Sequence, residues 1–377
     1  MSLKSLIVPR AAERLLGEPR LLRARAKAER ARLRAGTPHR VEMFHDESDP
    51  WSRLLLSVLP ELQARYDIDL IVHLVSPPDD AAAPERNKRA AYAAQDAERL
   101  AARAGLDVPP EGDALADTTA GDARLAALGH YQGGMIHYAG EWYWGLDRLH
   151  CLESRLAELG ARRPDAPTAP IFAPPIVPEG GGQSGAELHW FLSFRSPYTA
   201  IIRDRVGALA RGYGATLRLR YVLPMVMRGL PVPPAKRRYI PRDAAREARR
   251  LGVRFGRLMD PVGRPVELGY SLMPYARSQG RDYDYARCWL EAVWADGVDA
   301  GRSRGLRRIV ERAGLDWQQA QDHLGTDAWR AEAEANRAEM MALGLWGVPS
   351  FRVEDTAVWG QDRLWVVEDA LKASCAM

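Results

Sequence analysis

Short apolar runs separated by turn residues divide the chain into two similar series of predicted elements. The first series is a strand, a helix, a strand, a long helix, a hairpin and a closing helix, predicted over 41–45, 50–66, 68–75, 84–104, 135–143 and 146–159. The second series repeats this order over 188–194, 197–213, 216–223, a long helical region, 350–359 and 364–373. Strands that alternate with helices are typical of α/β domains, so the pattern predicts two of them.

The stretch between the two series has the composition of a linker. Residues 162–186 are rich in proline and contain the run Gly180-Gly181-Gly182. We therefore predict an Arg-rich helical arm at 1–38, a first domain at 39–161, a linker at 162–186 and a second domain at 187–377. Each domain is expected to carry a helical insertion, and the larger one, at about 225–345, lies in the second domain.

Local repeats indicate that the two domains arose by tandem duplication. Trp144-Gly-Leu-Asp-Arg-Leu149 matches Trp359-Gly-Gln-Asp-Arg-Leu364 at five of six positions, and Asp49-Pro-Trp-Ser52 stands where Ser196-Pro-Tyr-Thr199 stands in the second series. The arm contains Leu15, Leu16, Leu21 and Leu22 among many arginines, interrupted by Gly17 and Pro19. We interpret it as an amphipathic helix with a packed leucine face, in preference to an arm that binds an anionic surface.

Composition excludes several classes of protein. With 53 Lys+Arg against 49 Asp+Glu the net charge is only +4, which does not indicate a nucleic-acid partner. No apolar run is long enough for a membrane span and the N-terminus lacks the apolar segment of a signal peptide, so we expect a cytoplasmic protein without a membrane partner. Cys151, Cys288 and Cys375 lie far apart and form no Cys-x-x-Cys, which argues against dithiol redox chemistry and a zinc site.

Candidate chemistry lies where the first strand of the second domain runs into a helix. Ser196-Pro197-Tyr198 follows an apolar strand, so Ser196 is predicted at the N-terminus of the helix. Unpaired N–H groups and about half a positive charge stabilise an anion at such a position. A serine hydroxyl there can donate to a thiolate and lower a thiol pKa from about 8.5 towards neutrality. The alternative is that Ser196 and Pro197 form only a good helix N-cap.

Several motifs, taken in order, carry a resemblance to a known family over about residues 187–371. They are Phe194-Arg-Ser-Pro-Tyr198, Pro233-Pro-Ala-Lys-Arg-Arg-Tyr239, Gly347-Val-Pro-Ser-Phe351 and Trp359-Gly-Gln-Asp-Arg-Leu364. The segment resembles the kappa-class glutathione transferase and 2-hydroxychromene-2-carboxylate isomerase family, a branch of the DsbA-like thioredoxin folds. The resemblance implies a thioredoxin-like (DsbA-like) fold with Ser196 where DsbA-like oxidoreductases carry a nucleophilic cysteine. With the internal duplication, we therefore expect an α/β fold of two tandem thioredoxin-like (DsbA-like) domains.

The resemblance also implies glutathione as a cosubstrate and a set of residues that bind it. Val348-Pro349 is expected to be a cis peptide bond whose exposed backbone pairs with the cysteinyl backbone of glutathione. Asp362 is expected to hold the α-amino group, and Gln361 to meet the neighbouring carboxylate, although both residues can also cap a helix. Lys236 is a candidate for the glycyl carboxylate, with a solvated lysine as the alternative. Arg195 is a candidate anchor for a substrate carboxylate.

We therefore expect a glutathione-dependent isomerase or transferase that acts on a small-molecule electrophile or aromatic carboxylate. The alternatives are an inactive tandem scaffold and a relative of the DsbA thiol oxidoreductases. The first domain is expected to be non-catalytic and to pack on the second, and a homo-oligomer stays open. In the first domain Asp49 replaces Ser196, and Met135 stands about where Pro349 stands. The polar residues at 45–49 are expected to cap and turn, so no metal is expected.

Overall fold

The computed structural model describes residues 3–112, 117–175 and 180–375. They form two compact units, each built on a four-stranded sheet. One unit contains Leu21–Pro175 and Val232–Tyr239, and the other contains the described residues of Met1–Arg20, Ile176–Pro231 and Ile240–Met377. Four residues of the predicted linker, 176–179, lie outside the described residues. None of the helices within the described ranges is long and apolar enough to cross a membrane.

The first sheet has the strand order β2-β1-β3-β4. β1 and β2 are parallel, whereas β3 pairs antiparallel with both β1 and β4. A 3-10 turn, Leu146–Arg148, precedes the last helix. The elements from the N-terminus to this helix are α1 Leu3–Leu16, α2 Glu18–Ala35, β1 His39–His45, α3 Pro50–Ser57, α4 Leu59–Arg65, β2 Ile68–Leu74, α5 Arg86–Ala104, α6 Thr119–Ala127, β3 Met135–Tyr138, β4 Glu141–Trp144 and α7 Leu149–Glu158.

The Arg-rich arm forms two helices, α1 and α2, that meet at Gly17, which the sequence had marked as an interruption. The interpretation of a packed leucine face is wrong for much of it, because Leu15 and Leu22 are about half exposed and α2 buries none of its residues. Arg25 instead joins α2 to β4 through two hydrogen bonds to the Glu141 carboxylate, 2.7 and 3.0 Å long. Polar contacts, which a hydrophobic pattern cannot predict, therefore hold α2.

The elements predicted from the sequence leave no helix between 104 and 135, but the structure has α6 there, with Gly121 in its first turn. In the structure Gly121 is buried and faces the end of β2, where a Cβ atom added to it would overlap the Leu74 carbonyl oxygen. The absence of a side chain at Gly121 therefore lets the backbone of α6 approach the backbone of β2 closely. Helix propensity alone, which disfavours glycine within a helix, does not predict a helix here.

Replacing Gly121 by Ala is expected to lower the free energy of unfolding by about 2 kcal/mol, because the added methyl has no space. At an open helix position the same change would be stabilising by up to about 1 kcal/mol. Urea unfolding measures the difference, and Ala126→Gly on the exposed side of α6 serves as the control for ordinary helix propensity. An unchanged or raised stability of Gly121→Ala would contradict the close approach.

A buried carboxyl group in α7 makes the stability of the first unit depend on pH. Glu153 is almost fully buried and accepts hydrogen bonds from the Ile171 N–H at 3.1 and 3.2 Å. Burial raises its pKa to about 7, against the opposing effects of this N–H and of Arg65. A carboxyl group whose pKa is higher in the folded state stabilises the fold below its unfolded pKa, and that stability is lost as the pH rises through the folded pKa.

We expect the free energy of unfolding to decrease by about 2 kcal/mol between pH 5 and pH 8 relative to Glu153→Gln. The glutamine keeps an acceptor for Ile171 but does not titrate, so the difference between the two profiles isolates this group from the histidines of the same unit. Urea unfolding at four pH values gives both profiles, and parallel curves would refute the assignment.

The second sheet has the strand order β6-β5-β7-β8, which is the order of the first sheet. β5 and β6 are parallel, and β7 pairs antiparallel with β5 and β8. The 3-10 turns Met225–Arg228 and Gln361–Arg363 precede α9 and α16. The elements are β5 Glu187–Leu192, α8 Pro197–Gly212, β6 Thr216–Tyr221, α9 Pro234–Arg250, α10 Arg264–Ser271, α11 Met273–Ser278, α12 Asp282–Trp294, α13 Ser303–Arg312, α14 Trp317–Gln321, α15 Ala328–Ala342, β7 Ser350–Val353, β8 Thr356–Trp359 and α16 Leu364–Cys375.

The predicted helical insertion, at about 225–345, consists of α9 to α15. Its core begins directly behind the start of α8. The Phe194 ring stacks on Trp289 of α12 with 4.2 Å between ring centroids, and the Trp294 indole N–H donates to the Phe194 carbonyl at 3.0 Å. The hydroxyl of Tyr270 accepts from the Phe194 N–H and donates to the Val222 carbonyl. Aromatic side chains of the insertion therefore fix the backbone that leads into Ser196.

Candidate active site

Ser196 is the N-cap of α8. Its backbone is extended, with φ −93° and ψ 116°, and its Oγ accepts a hydrogen bond from the Thr199 N–H at 3.2 Å. Pro197 occupies the first helical turn, where a missing N–H costs nothing. Only 9% of Ser196 is exposed. The predicted N-cap is confirmed, and the hydroxyl lies at the positive end of a 16-residue helix.

The Val348–Pro349 peptide bond is cis, as predicted. The Ser196 Oγ donates to the Val348 carbonyl at 3.4 Å, so the helix N-terminus and the proline turn lie next to each other. The Val348 N–H has no hydrogen-bond partner within the part of the chain that the structure describes. The Ser350 hydroxyl closes the turn by donating to the Gly347 carbonyl at 2.6 Å.

The turn before α16 joins the same arrangement. The Gly360 N–H donates to the Pro349 carbonyl at 2.8 Å, and the turn Gln361–Arg363 packs on α8. Gln361 and Asp362 are half-buried, and the Gln361 amide donates to the Asp362 carboxylate at 2.7 Å. The structure thus brings together five predicted site residues that are up to 166 positions apart in sequence: Ser196, Val348, Pro349, Gln361 and Asp362.

This arrangement combines three kinds of group. A hydroxyl donor stands at a helix N-terminus, an unpaired backbone N–H stands at the proline turn, and a carboxylate stands at the start of another helix. The first favours a bound anion such as a thiolate, the second can pair with an extended peptide, and the third can accept from an ammonium group. A small peptide with a thiol and a free amino group has all three complementary features.

Lys236, the candidate for the glycyl carboxylate, belongs to the segment Val232–Tyr239 of the other unit, where its ammonium group donates to the Ala82 carbonyl at 2.8 Å. The sequence motif at 233–239 did not predict the contact with Ala82, because the residues around a single lysine carry no information about which unit the lysine joins. Arg195 is also engaged, since it forms two hydrogen bonds with the Asp260 carboxylate at 2.8 and 2.9 Å. As a substrate anchor it would first have to leave Asp260.

The first unit repeats the local geometry with other side chains. Asp49 is the N-cap of α3, with φ −95° and ψ 111°, and accepts from the Trp51 N–H at 3.1 Å. The predicted capping role is therefore confirmed for Asp49. The prediction that Met135 stands where Pro349 stands is wrong by one residue, because Met135 pairs with Trp144 as Ser350 pairs with Trp359. Gly134 precedes Met135 and its carbonyl accepts from Gly145, as that of Pro349 accepts from Gly360.

Sequence reasoning missed two groups beside the second-unit site. Trp359 was given no role of its own in the predicted site, but its ring lies 4.9 Å from that of Trp346, and its indole nitrogen would be 2.8 Å from a Cβ added to Gly347. It therefore forms one side of the proline turn, and the repeated motif that begins at Trp359 was the available signal. Tyr198, in the first turn of α8, donates to the buried Asp243 carboxylate of α9 at 2.9 Å. No sequence signal joined these two.

Comparisons with known proteins find similarity over the second half of the chain. Residues 187–372 match the family model of the DSBA-like thioredoxin domain. A 2-hydroxychromene-2-carboxylate isomerase of Pseudomonas putida is 23% identical over 194 residues, which cover 49% of this chain and 94% of the relative. The corresponding isomerase of Sphingobium xenophagum is 24% identical over 196 residues, covering 49% of this chain and 97% of the relative.

A solved structure of a 2-hydroxychromene-2-carboxylate isomerase superposes with a TM-score of 0.44 and 22% identity, covering 50% of this chain and 95% of that one. Residues 187–372 are a DSBA-like thioredoxin domain of α/β fold. Its curated relatives carry the names of isomerases. The match leaves the first sheet, and all of the residues Leu21–Pro175, outside its range.

Proposed function

We propose that the domain at 187–372 binds glutathione as a thiolate at Ser196 and uses it in an isomerase or transferase reaction. The observation that carries the proposal is the position of the Ser196 hydroxyl, at the N-cap of α8 and 3.4 Å from the carbonyl of the residue before the cis-proline. A hydroxyl in this place stabilises sulfur as an anion but cannot form a disulfide with it. The thiolate then stays free to attack a carbon centre.

The protein also offers groups that match the rest of the tripeptide. The Val348 N–H is free to pair with the cysteinyl backbone, and the Asp362 carboxylate offers an acceptor for the α-amino group, with Gln361 beside it for the adjoining carboxylate. In an isomerase reaction the electron pair of the thiolate forms a C–S bond to one carbon of a C=C bond conjugated with a carbonyl group, and the π pair of that C=C bond moves to the carbonyl oxygen. The former double bond is now single and rotates. The pair then returns from the oxygen, re-forms the C=C bond in the other geometry and expels the thiolate.

Calorimetric titration of the full chain with glutathione tests binding, and a difference spectrum near 240 nm tests ionisation of the bound thiol. We expect saturable binding and a thiolate band at pH 7. S-methylglutathione is the matched ligand control, because it should bind but give no band. Absence of saturable glutathione binding would refute the function and would favour an inactive scaffold.

A thiol oxidoreductase is the second candidate that the domain family suggests. Such chemistry needs a nucleophilic thiol, whereas the N-cap of α8 is Ser196 and Thr199 follows three residues later. We expect no reduction of insulin disulfides by the full chain in the presence of glutathione beyond that given by glutathione alone. Catalysed reduction would favour this candidate over the isomerase or transferase.

We further propose that the two units derive from one ancestral domain. The equal strand orders, the equivalent registers of β3–β4 and β7–β8, the N-caps at Asp49 and Ser196, and the repeated Trp-Gly-x-Asp-Arg-Leu motif support a duplication. In the first unit a carboxylate replaces the hydroxyl and would repel a thiolate. This unit is therefore proposed to have no glutathione chemistry.

A further inference from the structure

The carboxyl ends of β1 and β2 meet at one edge of the first sheet, where open α/β sheets commonly bind ligands. The loop after β1 leads to Asp49 at the start of α3, and the loop after β2 contains Ala82 and leads to α5. Arg89 lies in the first turn of α5, and α3 packs against α5. Chemical groups from both loops therefore converge at this edge.

Arg89 uses little of its hydrogen-bonding capacity. One of its five N–H groups donates to the Asp49 carboxylate at 3.2 Å, and the described part of the chain offers the guanidinium no other acceptor. The group is held in place, because its central carbon lies 5.6 Å from the centroid of the Trp51 ring and only 14% of the side chain is exposed. It is a fixed cation with several unused donors.

Lys236 lies at the same edge. Its ammonium group donates to the Ala82 carbonyl at 2.8 Å, and no carboxylate of the described ranges pairs with it. Burial, and then the positive charge of Arg89, lower its pKa to about 8. Of these two partly buried cations, Arg89 pairs with the Asp49 carboxylate and Lys236 with no carboxylate of the described ranges, and an unpaired charge in such a place is costly.

We propose that Arg89 and Lys236 together bind a small oxyanion, the phosphate or carboxylate group of a small molecule, at the carboxyl edge of the first sheet. The unused guanidinium N–H groups can donate side by side to two oxygens, and the ammonium group can add a third donor. Asp49 keeps its role as the helix cap and orients Arg89. The proposed site belongs to the first unit and is independent of the glutathione chemistry proposed for Ser196.

Calorimetric titration of the full chain at pH 7 with inorganic phosphate, and separately with acetate, tests the site, with potassium chloride at equal ionic strength as the blank. We expect saturable binding of phosphate. Lys236→Met removes the ammonium group but keeps much of the apolar stem, and should weaken binding at least about tenfold. Lys88→Met is the matched control, because Lys88 neighbours Arg89 on α5 but pairs with Glu85 near the surface. It should change the affinity less than about twofold.

Lys236→Arg keeps a cation and should restore binding to within a few fold, which separates loss of charge from loss of folding. Circular dichroism of each variant provides a second check on folding. Binding of acetate as well would indicate that carboxylates are accepted, and binding of phosphate alone would restrict the ligand to phosphorylated compounds. Absence of saturable binding of both anions, or an equal loss in Lys88→Met, would overturn the proposal.

Discussion

Replacing Ser196 by Asp is expected to leave the fold intact and to abolish the thiolate form of bound glutathione. An aspartate caps a helix as well as a serine does, and Asp49 already does so for α3 in the first unit. It cannot donate a hydrogen bond to sulfur, and its charge repels a thiolate placed against the same helix end. The band near 240 nm should be lost at pH 7, and turnover should fall by about 100- to 1000-fold, a loss of about 3–4 kcal/mol in transition-state stabilisation.

Ser196→Ala complements Ser196→Asp in separating the two roles of the hydroxyl, the donor to sulfur and the helix cap. It removes both the donor and the cap, so it should lose the thiolate band and also about 1 kcal/mol of stability. Ser278→Ala, which removes an exposed hydroxyl bonded to its own helix, should change neither quantity. If Ser196→Asp kept the thiolate band, the hydroxyl would be only a cap and the proposed chemistry would be wrong.

Much of the fold could be predicted because hydrophobic periodicity and turn residues specify local structure. Both strand–helix–strand units and both hairpins lie within a few residues of their predicted positions. The misses have physical causes. Gly121 contradicts helix propensity because it serves packing against β2, and Val58 separates α3 from α4, so the single predicted helix at 50–66 is divided in two. Leu15 and Leu22 look like a packing face but are left exposed.

For the candidate site, what can be predicted from the sequence is limited in a different way. The local structure at Ser196, Pro349 and Asp362 could be predicted because each belongs to a motif with a local structural role, a helix cap or a turn. The contact of Lys236 with the Ala82 carbonyl could not be predicted, because Ala82 is 154 residues away and nothing in the local sequence encodes that contact. Tyr198 and Asp243 were missed for the same reason. Long-range pairs of single polar side chains are thus the part of a site that one sequence does not reveal.

Asp362→Asn is expected to weaken glutathione binding by about 10- to 100-fold while the bound thiol stays ionised. The substitution keeps the size of the side chain and its place beside Gln361, but it replaces a charge-assisted hydrogen bond to the α-amino group by a neutral one. A charged pair of this kind is worth about 1.5–3 kcal/mol, which corresponds to that loss of affinity. The thiolate band should survive at saturating glutathione, because Ser196 and the start of α8 are unchanged.

A ligand with the α-amino group removed makes the test specific. Calorimetry should show that this analogue binds the wild-type chain and Asp362→Asn with nearly equal affinity, since the partner of the carboxylate is gone from both complexes. Asp369→Asn, on the exposed side of α16 and near Lys372, is the matched control and should bind glutathione as the wild type does. If Asp362→Asn weakened the binding of both ligands equally, the carboxylate would support only the turn before α16 and would not contact the ammonium group. The proposed orientation of the tripeptide would then be wrong.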